Sequence, residues 1–154
     1  MKNHFRKKGK TAASLLLAAV MLLSLFCLFS CGKQKTENTV SKTGIWENAQ
    51  FLSDTEFGTG TRTVMVEVQA EDQSVTFTVK TDRETLGEAL LEHGLIAGEE
   101  SQYGLYVKVV NGMTADYDID QSYWAFTKDG EMMQVGVDGA AITDGEHYEL
   151  VYTK

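Results

Sequence analysis

From Thr63 to Val79 the chain alternates with a period of two. Val64, Val66 and Val68 point one way, and Met65, Glu67 and Gln69 the other. Val75, Phe77 and Val79 repeat the pattern after the polar stretch Ala70-Glu71-Asp72-Gln73-Ser74. β-Branched residues at every second position predict two half-buried strands, and the polar gap fits a hairpin loop. The next stretch suits the other half of a two-layer domain. Thr85-Leu86-Gly87-Glu88 has the spacing of a capping box, in which the Thr hydroxyl accepts from a first-turn amide while the Glu reaches back. Leu86 and Leu90, extended to His93, form one stripe with Ala89 and Leu91 beside it, and Gly94 is a natural left-handed stop. One short amphipathic helix is expected here.

More strands are expected beyond the helix. Leu105 to Val110 precedes Asn111-Gly112, and Tyr123 to Thr127 precedes Asp129-Gly130. Both dipeptides tolerate the positive φ angles of tight hairpin turns. Met132 to Val137 is read as a strand, as is His147 to Thr153 after Asp144-Gly145. The chain has no proline, so glycine must do most of the breaking. The order strand, strand, helix, then several strands is α+β: a β-grasp-like arrangement, with one short helix packed on a mixed or antiparallel sheet. Residues 45–154 form the domain, with its core in 61–154. The stretch Ile45 to Gly60 carries Trp46, Phe51, Leu52 and Phe57, too apolar for a pure linker, so part of it should pack on the domain.

Upstream, the chain is built for export. Residues 2 to 10 hold five cations (Lys2, Arg6, Lys7, Lys8, Lys10) and no acid, residues 11 to 29 are apolar and small, and Leu28-Phe29-Ser30-Cys31-Gly32 comes next. That order is a secretory signal peptide over residues 1–30. A cysteine after a small residue, with Leu three positions before it, has the form of a bacterial lipobox. Cys31 would then be acylated and become the first residue of a membrane-tethered, extracytoplasmic chain. Phe29 is larger than the residue usual at its position, which keeps an uncleaved membrane anchor and an ordinary secreted protein as competing readings. Residues 31–44 read as the lipidated Cys and a flexible spacer.

Removing the signal sharpens the charge. Of 14 Lys and Arg, five lie in residues 2 to 10, leaving 9 against 22 acids, a formal charge of 9 − 22 = −13. That argues against nucleic acid, whose phosphates need clustered Lys and Arg. Cys31 is then the only thiol, so no intramolecular disulfide, thiolate metal site or catalytic Cys is expected.

Candidate contact residues are aromatic or sulfur-bearing. Tyr103, Tyr106 and Tyr117 sit near expected loops or strand ends. Trp124 and Phe126 share one strand face and Tyr123 takes the other; the competing reading buries Trp124 and Phe126 under the helix. Met132-Met133 flanks the Asp-Gly turn, and Met adapts well at binding surfaces. Asp116, Asp118 and Asp120 resemble part of a calcium loop, but Gln121 stands where its glycine belongs and Thr127 where its bidentate Glu belongs. In extended chain the three carboxylates would share a face, and a solvated edge is favoured there over a cation site. His93 and His147 have no nucleophile arranged around them in sequence, and Glu99-Glu100 reads as a solvated loop pair. No metal site, required cofactor or catalytic set emerges.

The ordered set Thr85-Leu86-Gly87-Glu88-Ala89-Leu90-Leu91, Tyr103-Gly104-Leu105-Tyr106-Val107, Val110-Asn111-Gly112, Tyr123-Trp124-Ala125-Phe126, Asp129-Gly130, Gly136-Val137 and Asp144-Gly145 resembles a family of bacterial surface lipoproteins. Their domain is similar to the C-terminal domain of transcobalamin and intrinsic factor. The resemblance covers about residues 61 to 154. It implies a β-grasp-like fold and a non-catalytic binding module, with cobalamin or another corrinoid as ligand. In the vitamin carriers this domain closes over cobalamin held by a separate helical domain, which this sequence does not contain. The alternative is an adhesive or protein-binding surface module with no small-molecule ligand. Tyr103, Tyr117, Tyr123, Trp124 and Met132 are the ligand candidates on residue chemistry.

Overall fold

The computed structural model describes residues 38–154. The expected signal peptide and the expected lipidation site Cys31 lie outside the described residues, and among those described no helix is long and apolar enough to cross a membrane.

Two sheets and one helix longer than a single turn build the domain. The larger sheet has six strands in the order β1-β3-β2-β9-β7-β8. They are β1 (Thr55–Gly58), β2 (Arg62–Ala70), β3 (Gln73–Thr81), β7 (Tyr123–Lys128), β8 (Glu131–Met132) and β9 (His147–Thr153). The smaller sheet runs β4 (Ile96–Ser101), β5 (Gly104–Val110), β6 (Met113–Thr114) in that order. Helix α1 spans Leu86–Glu92 and α2 is one turn, Tyr117–Asp120. The large sheet is mixed: β2 runs antiparallel to β3 and parallel to β9, β1 runs parallel to β3, and β7 runs antiparallel to β9. The α+β expectation therefore holds.

The alternation of residues 63–79 does what its period requires. Val64, Val66, Val68, Val75, Phe77 and Val79 are fully buried on one face, where the register Val66↔Phe77 and Val68↔Val75 stacks them in pairs. Glu71 takes a positive φ of 55° in the tight turn between the strands. The parallel register Val66↔Tyr148 and Val68↔Leu150 carries the same face into β9. On the far side Leu90, Leu95, Ile96 and Val110 close against Val66, Val68, Phe77 and Leu150. The capping box is complete: Thr85 accepts from the Glu88 amide, and Glu88 accepts from the Thr85 amide. His93 caps the C-terminal end, and Gly94 turns the chain at φ +64°.

The structure departs from the sequence reading at four places. First, the spacer expected over residues 31–44 is already docked by Asn38. The Asn38 side chain donates to Ser74 O (2.7 Å), the Val40 amide to Leu52 O (2.8 Å), and Ser41 exchanges bonds with the Gln73 side chain. Second, residues 45–60, expected to pack on the domain in part, add both a core residue and a strand to it. Trp46, in a 3-10 helix over Gly44–Asn48, is fully buried with its indole N–H on Ala70 O (3.1 Å), and β1 adds an edge strand. Third, Glu99 and Glu100 lie on β4, not in a loop. Charged, mostly exposed chain hides that strand from a hydrophobic count. Fourth, the strand expected over Met132 to Val137 stops after Met132, and the chain continues as turns.

Asn111 ties the β5–β6 turn to the segment before β1. It takes φ +51° in the β5–β6 turn, ahead of Gly112 at +80°. Its side chain is fully buried, accepting from the Phe51 amide (2.9 Å) and donating to the Phe51 carbonyl (2.8 Å). A backbone segment that would otherwise carry two unmet polar groups is thereby satisfied.

Candidate functional site

Most large apolar side chains are closed in the core, but a few are held outside it. Tyr103 projects from the tip of the β4–β5 hairpin with 87% of its surface exposed. The tip is tightened by Ser101, whose hydroxyl donates to Gly104 O (2.7 Å) and accepts from the Tyr103 amide (3.1 Å). Gly104 has φ +100°, and a Cβ there would stand 2.2 Å from an Asp138 carboxylate oxygen, so a side chain would strain the backbone and push that carboxylate aside. Asp138 Oδ2 accepts from the Leu105 amide (3.1 Å). One carboxylate therefore latches the loop after β8 onto the hairpin tip.

At the near end of that loop, Met132 is 57% exposed and Val135 is also exposed. The Met133 amide donates to Phe126 O (3.0 Å), which folds the loop back against β7. Residues Lys128 to Val135 line an open cleft of about 530 Å³ with Met132, Met133 and Val135 in its wall. Tyr103 thus stands at the hairpin tip and Met132 at the start of the loop that Asp138 fastens to it.

The other sequence candidates go elsewhere. Trp124 is only 7% exposed, facing the core with its ring edge-on to Tyr152 at 5.6 Å, while Phe126 stacks on Tyr148 at 5.7 Å. Trp124 is a core residue, as the competing reading has it, and does not present its ring to solvent, while Phe126 is half-buried against the core. Its indole N–H is buried without a hydrogen-bond partner among the described residues. Tyr123 is half-buried on the opposite sheet face, and Tyr117 is 56% exposed on α2, beside the exposed Ile119. Tyr117 and Tyr123 flank the α2–β7 turn, not the Asp138 latch.

That turn corrects the picture of three carboxylates on one extended face. Asp116 caps α2, accepting from the Asp118 amide (3.0 Å) and pairing with Lys108 (3.3 Å). Asp120 pairs with Lys154 (2.6 Å) and accepts from the Ser122 hydroxyl (2.5 Å). Those two contacts, Lys154 first, lower its carboxyl to about 2. Asp118 and the pair are separated in role, and Gln121 ends the turn at φ +65°.

A second cleft, of about 480 Å³, has a different chemistry. Gly58, Thr59, Gly60, Lys80, Thr81, Asp82, Arg83, Glu92 and His93 line it. Of these the sequence reading singled out only His93. The signal it lacked was proximity: the β1–β2 connection lies on the β3–α1 connection, which no local pattern announces.

The two described histidines pack against an aromatic ring and between carboxylates. His93 rests against Phe57 with ring centroids 5.5 Å apart, and His147 lies between Glu67 (3.7 Å) and Glu149 (3.4 Å). Among the described residues, no hydrogen bond joins either to a Ser or Thr hydroxyl.

Comparison with known proteins places this domain. Residues 84–154 match a family model described as a domain of unknown function, DUF4430. A crystal structure from Ruminococcus gnavus, described as a "putative metal binding protein", aligns at a TM-score of 0.57 with 35% identity, covering 60% of this chain and 97% of that one. The chain belongs to the same family as that protein. Haptocorrin in complex with Cbi aligns at a TM-score of 0.47 and 21% identity over 64% of this chain and 26% of haptocorrin, too distant to argue from. The chain spans about a quarter of haptocorrin's length. No curated protein matches. Among the described residues of the present chain, no group of three or more His, Cys, Asp or Glu is arranged to hold a metal ion. The donor set among those residues does not fit the metal role in the relative's description.

Proposed function

We propose that this chain is a lipid-anchored, extracytoplasmic binding module that captures a corrinoid and catalyses nothing. The observation that carries the reading is the rim: Tyr103, Met132 and Val135, exposed on a hairpin tip and a loop that Asp138 fastens together. Exposed aromatic and Met side chains on a braced frame suit a large flat ligand, because rigid aromatics lose little entropy on contact and Met conforms to the remainder. The resemblance of residues 61 to 154 to the cobalamin carriers' C-terminal domain names the ligand class. A free-standing copy would cover one face of such a ligand, leaving the other to a partner or to solvent.

The anchor and the ligand have separate tests. Cys31→Ala should abolish acyl labelling and release the protein from the membrane or leave it unprocessed; unchanged labelling removes Cys31 as the site. Calorimetric titration of the chain from Gly32 onward with cobalamin and with cobinamide should show saturable heat. Its absence at tens of micromolar and at two temperatures removes the corrinoid reading.

A further inference from the structure

The cleft at Gly58–Gly60 has no part in the rim, and its chemistry points to another ligand. Its floor is main chain. A Cβ on Gly58 would lie 2.1 Å from Lys80 O, and one on Gly60 would lie 2.1 Å from the Thr81 carbonyl carbon, so both glycines let backbone lie directly on backbone. Its walls are ionic but balanced. Lys80 and Arg83 stand against Asp82 and Glu92, a net of 2 − 2 = 0. The charges are also already engaged. Arg83 Nε and Nη2 hold the two oxygens of Glu92 (3.1 and 3.2 Å), Lys80 pairs with Glu56, and Asp82 Oδ1 accepts from the Thr61 amide and hydroxyl (2.9 and 2.7 Å). Thr61 lowers the Asp82 carboxyl below its ordinary range, so it stays an acceptor near neutrality.

Each class of ligand can be weighed on these facts. An anion gains nothing from a balanced cleft on an acidic chain, and a cation meets paired carboxylates. An apolar ligand would strip water from charged groups without replacing their bonds. A neutral ligand with many hydroxyls can do what those exclude, donating to carboxylates and accepting from guanidinium and imidazole without breaking the pairs. Among the described residues, Arg83 Nη1 has no hydrogen-bond acceptor, its Nε and Nη2 being the atoms engaged by Glu92. His93 Nε2 stands 3.1 Å from the position of a Gly58 Cβ, at the cleft wall. The His93 ring, braced on Phe57, is half-buried at the cleft wall. The volume lies within the range of small-molecule sites, about 300–1,000 Å³.

We infer that this cleft is a second binding site, for a neutral saccharide, distinct from the rim. The test is amide-shift mapping of the isotopically labelled chain from Gly32 onward, titrated with maltotriose, cellotriose and chitotriose to about 10 mM, a range that reaches millimolar affinities. Saturable shifts at Gly58, Thr59, Gly60 and His93 with at least one of them are expected. Arg83→Gln and His93→Ala should each weaken that binding several-fold. Arg83 and Glu92 are exposed, so Arg83→Gln leaves the fold intact. Silence of these four amides with all three sugars overturns the site, as does identical affinity in both variants. Shifts confined to Tyr103 and Met132 overturn it too while leaving the rim reading standing. Loss of corrinoid heat with cleft shifts present does the reverse.

Discussion

Two regions of this domain differ in how much of their order rests on burial. The β2–β3 hairpin with α1 is held by apolar burial: six alternating residues at zero exposure beneath Leu86, Ala89 and Leu90. The segment from Glu131 to Glu146 has almost no regular structure; it sinks Val137, Ala140 and Ile142 into the core, and the rest is held by polar contacts. Asp138 fixes its middle to Leu105 N, and Glu146 fixes its end, taking Lys128 (2.5 Å), the Tyr148 hydroxyl (2.5 Å) and the Thr143 amide (2.8 Å). Burial non-directionally stabilises the first region, and many residues share the load. The second depends on geometry at a few atoms, and it is the one that carries the rim.

The comparison breaks most severely at the core. Trp46→Ala should cost about 3–5 kcal/mol in equilibrium denaturation, the usual range for a buried aromatic. A loss below about 1 kcal/mol would show that the segment before β1 is not part of the core. Asn111→Ala should cost about 2–4 kcal/mol, since it strands two Phe51 backbone groups and removes the short polar side chain that makes positive φ tolerable. Thr85→Ala removes the helix cap and should cost about 1 kcal/mol.

The polar region should fail differently. Asp138→Ala is expected to change global stability by no more than about 1.5 kcal/mol, the net worth of one hydrogen bond. Hydrogen exchange at Gly104, Leu105 and residues 136–138 should nevertheless rise strongly. Unchanged exchange there would mean that packing, not the latch, holds the loop.

Acid sharpens the same contrast. Burial acts to raise the Glu146 carboxyl, but its bonds from Lys128, Tyr148 and Thr143 outweigh it, and the net shift is downward. Asp120 is lowered to about 2. A carboxyl lowered on folding stabilises above its unfolded value and loses that contribution as pH falls through its folded value. Both contributions should be complete above the ordinary carboxylate range. Asp120's should be spent below about pH 2. Chemical denaturation midpoints should therefore fall from about pH 5 downward, and Glu146→Gln should flatten the upper part of that fall. A midpoint independent of pH in this window would contradict both pairings.

Legibility in the sequence divides along the same line. The hairpin, the capping box, the two Asx-Gly turns and the last strand were legible because each is written locally, in a period or a dipeptide. β1 escaped because four residues at an edge hold no full period. The strap at Asn38 and Val40 escaped because its partners, Ser74, Gln73 and Leu52, lie far from any polar pattern of its own. Asn111 was legible as a turn and illegible as a clamp, since Phe51 is sixty positions away. Of the contact candidates, Tyr103 and Met132 stood out by residue type and are exposed, whereas Trp124 took the core, packed on its register partner Tyr152. Val135 and Asp138 carried no local sign, and the cleft at Gly58–Gly60 exists only through tertiary approach.

The most direct measurement is calorimetric titration of cobinamide into the chain from Gly32 onward, beside its Tyr103→Ala variant. Tyr103 is almost wholly exposed, so the variant should keep its denaturation midpoint. If the latched rim is the binding surface, the unmodified chain gives saturable heat and the variant binds about tenfold or more weakly, as expected for loss of an aromatic anchor. Equal affinity in the two proteins would contradict the rim, and no heat in either would contradict the ligand.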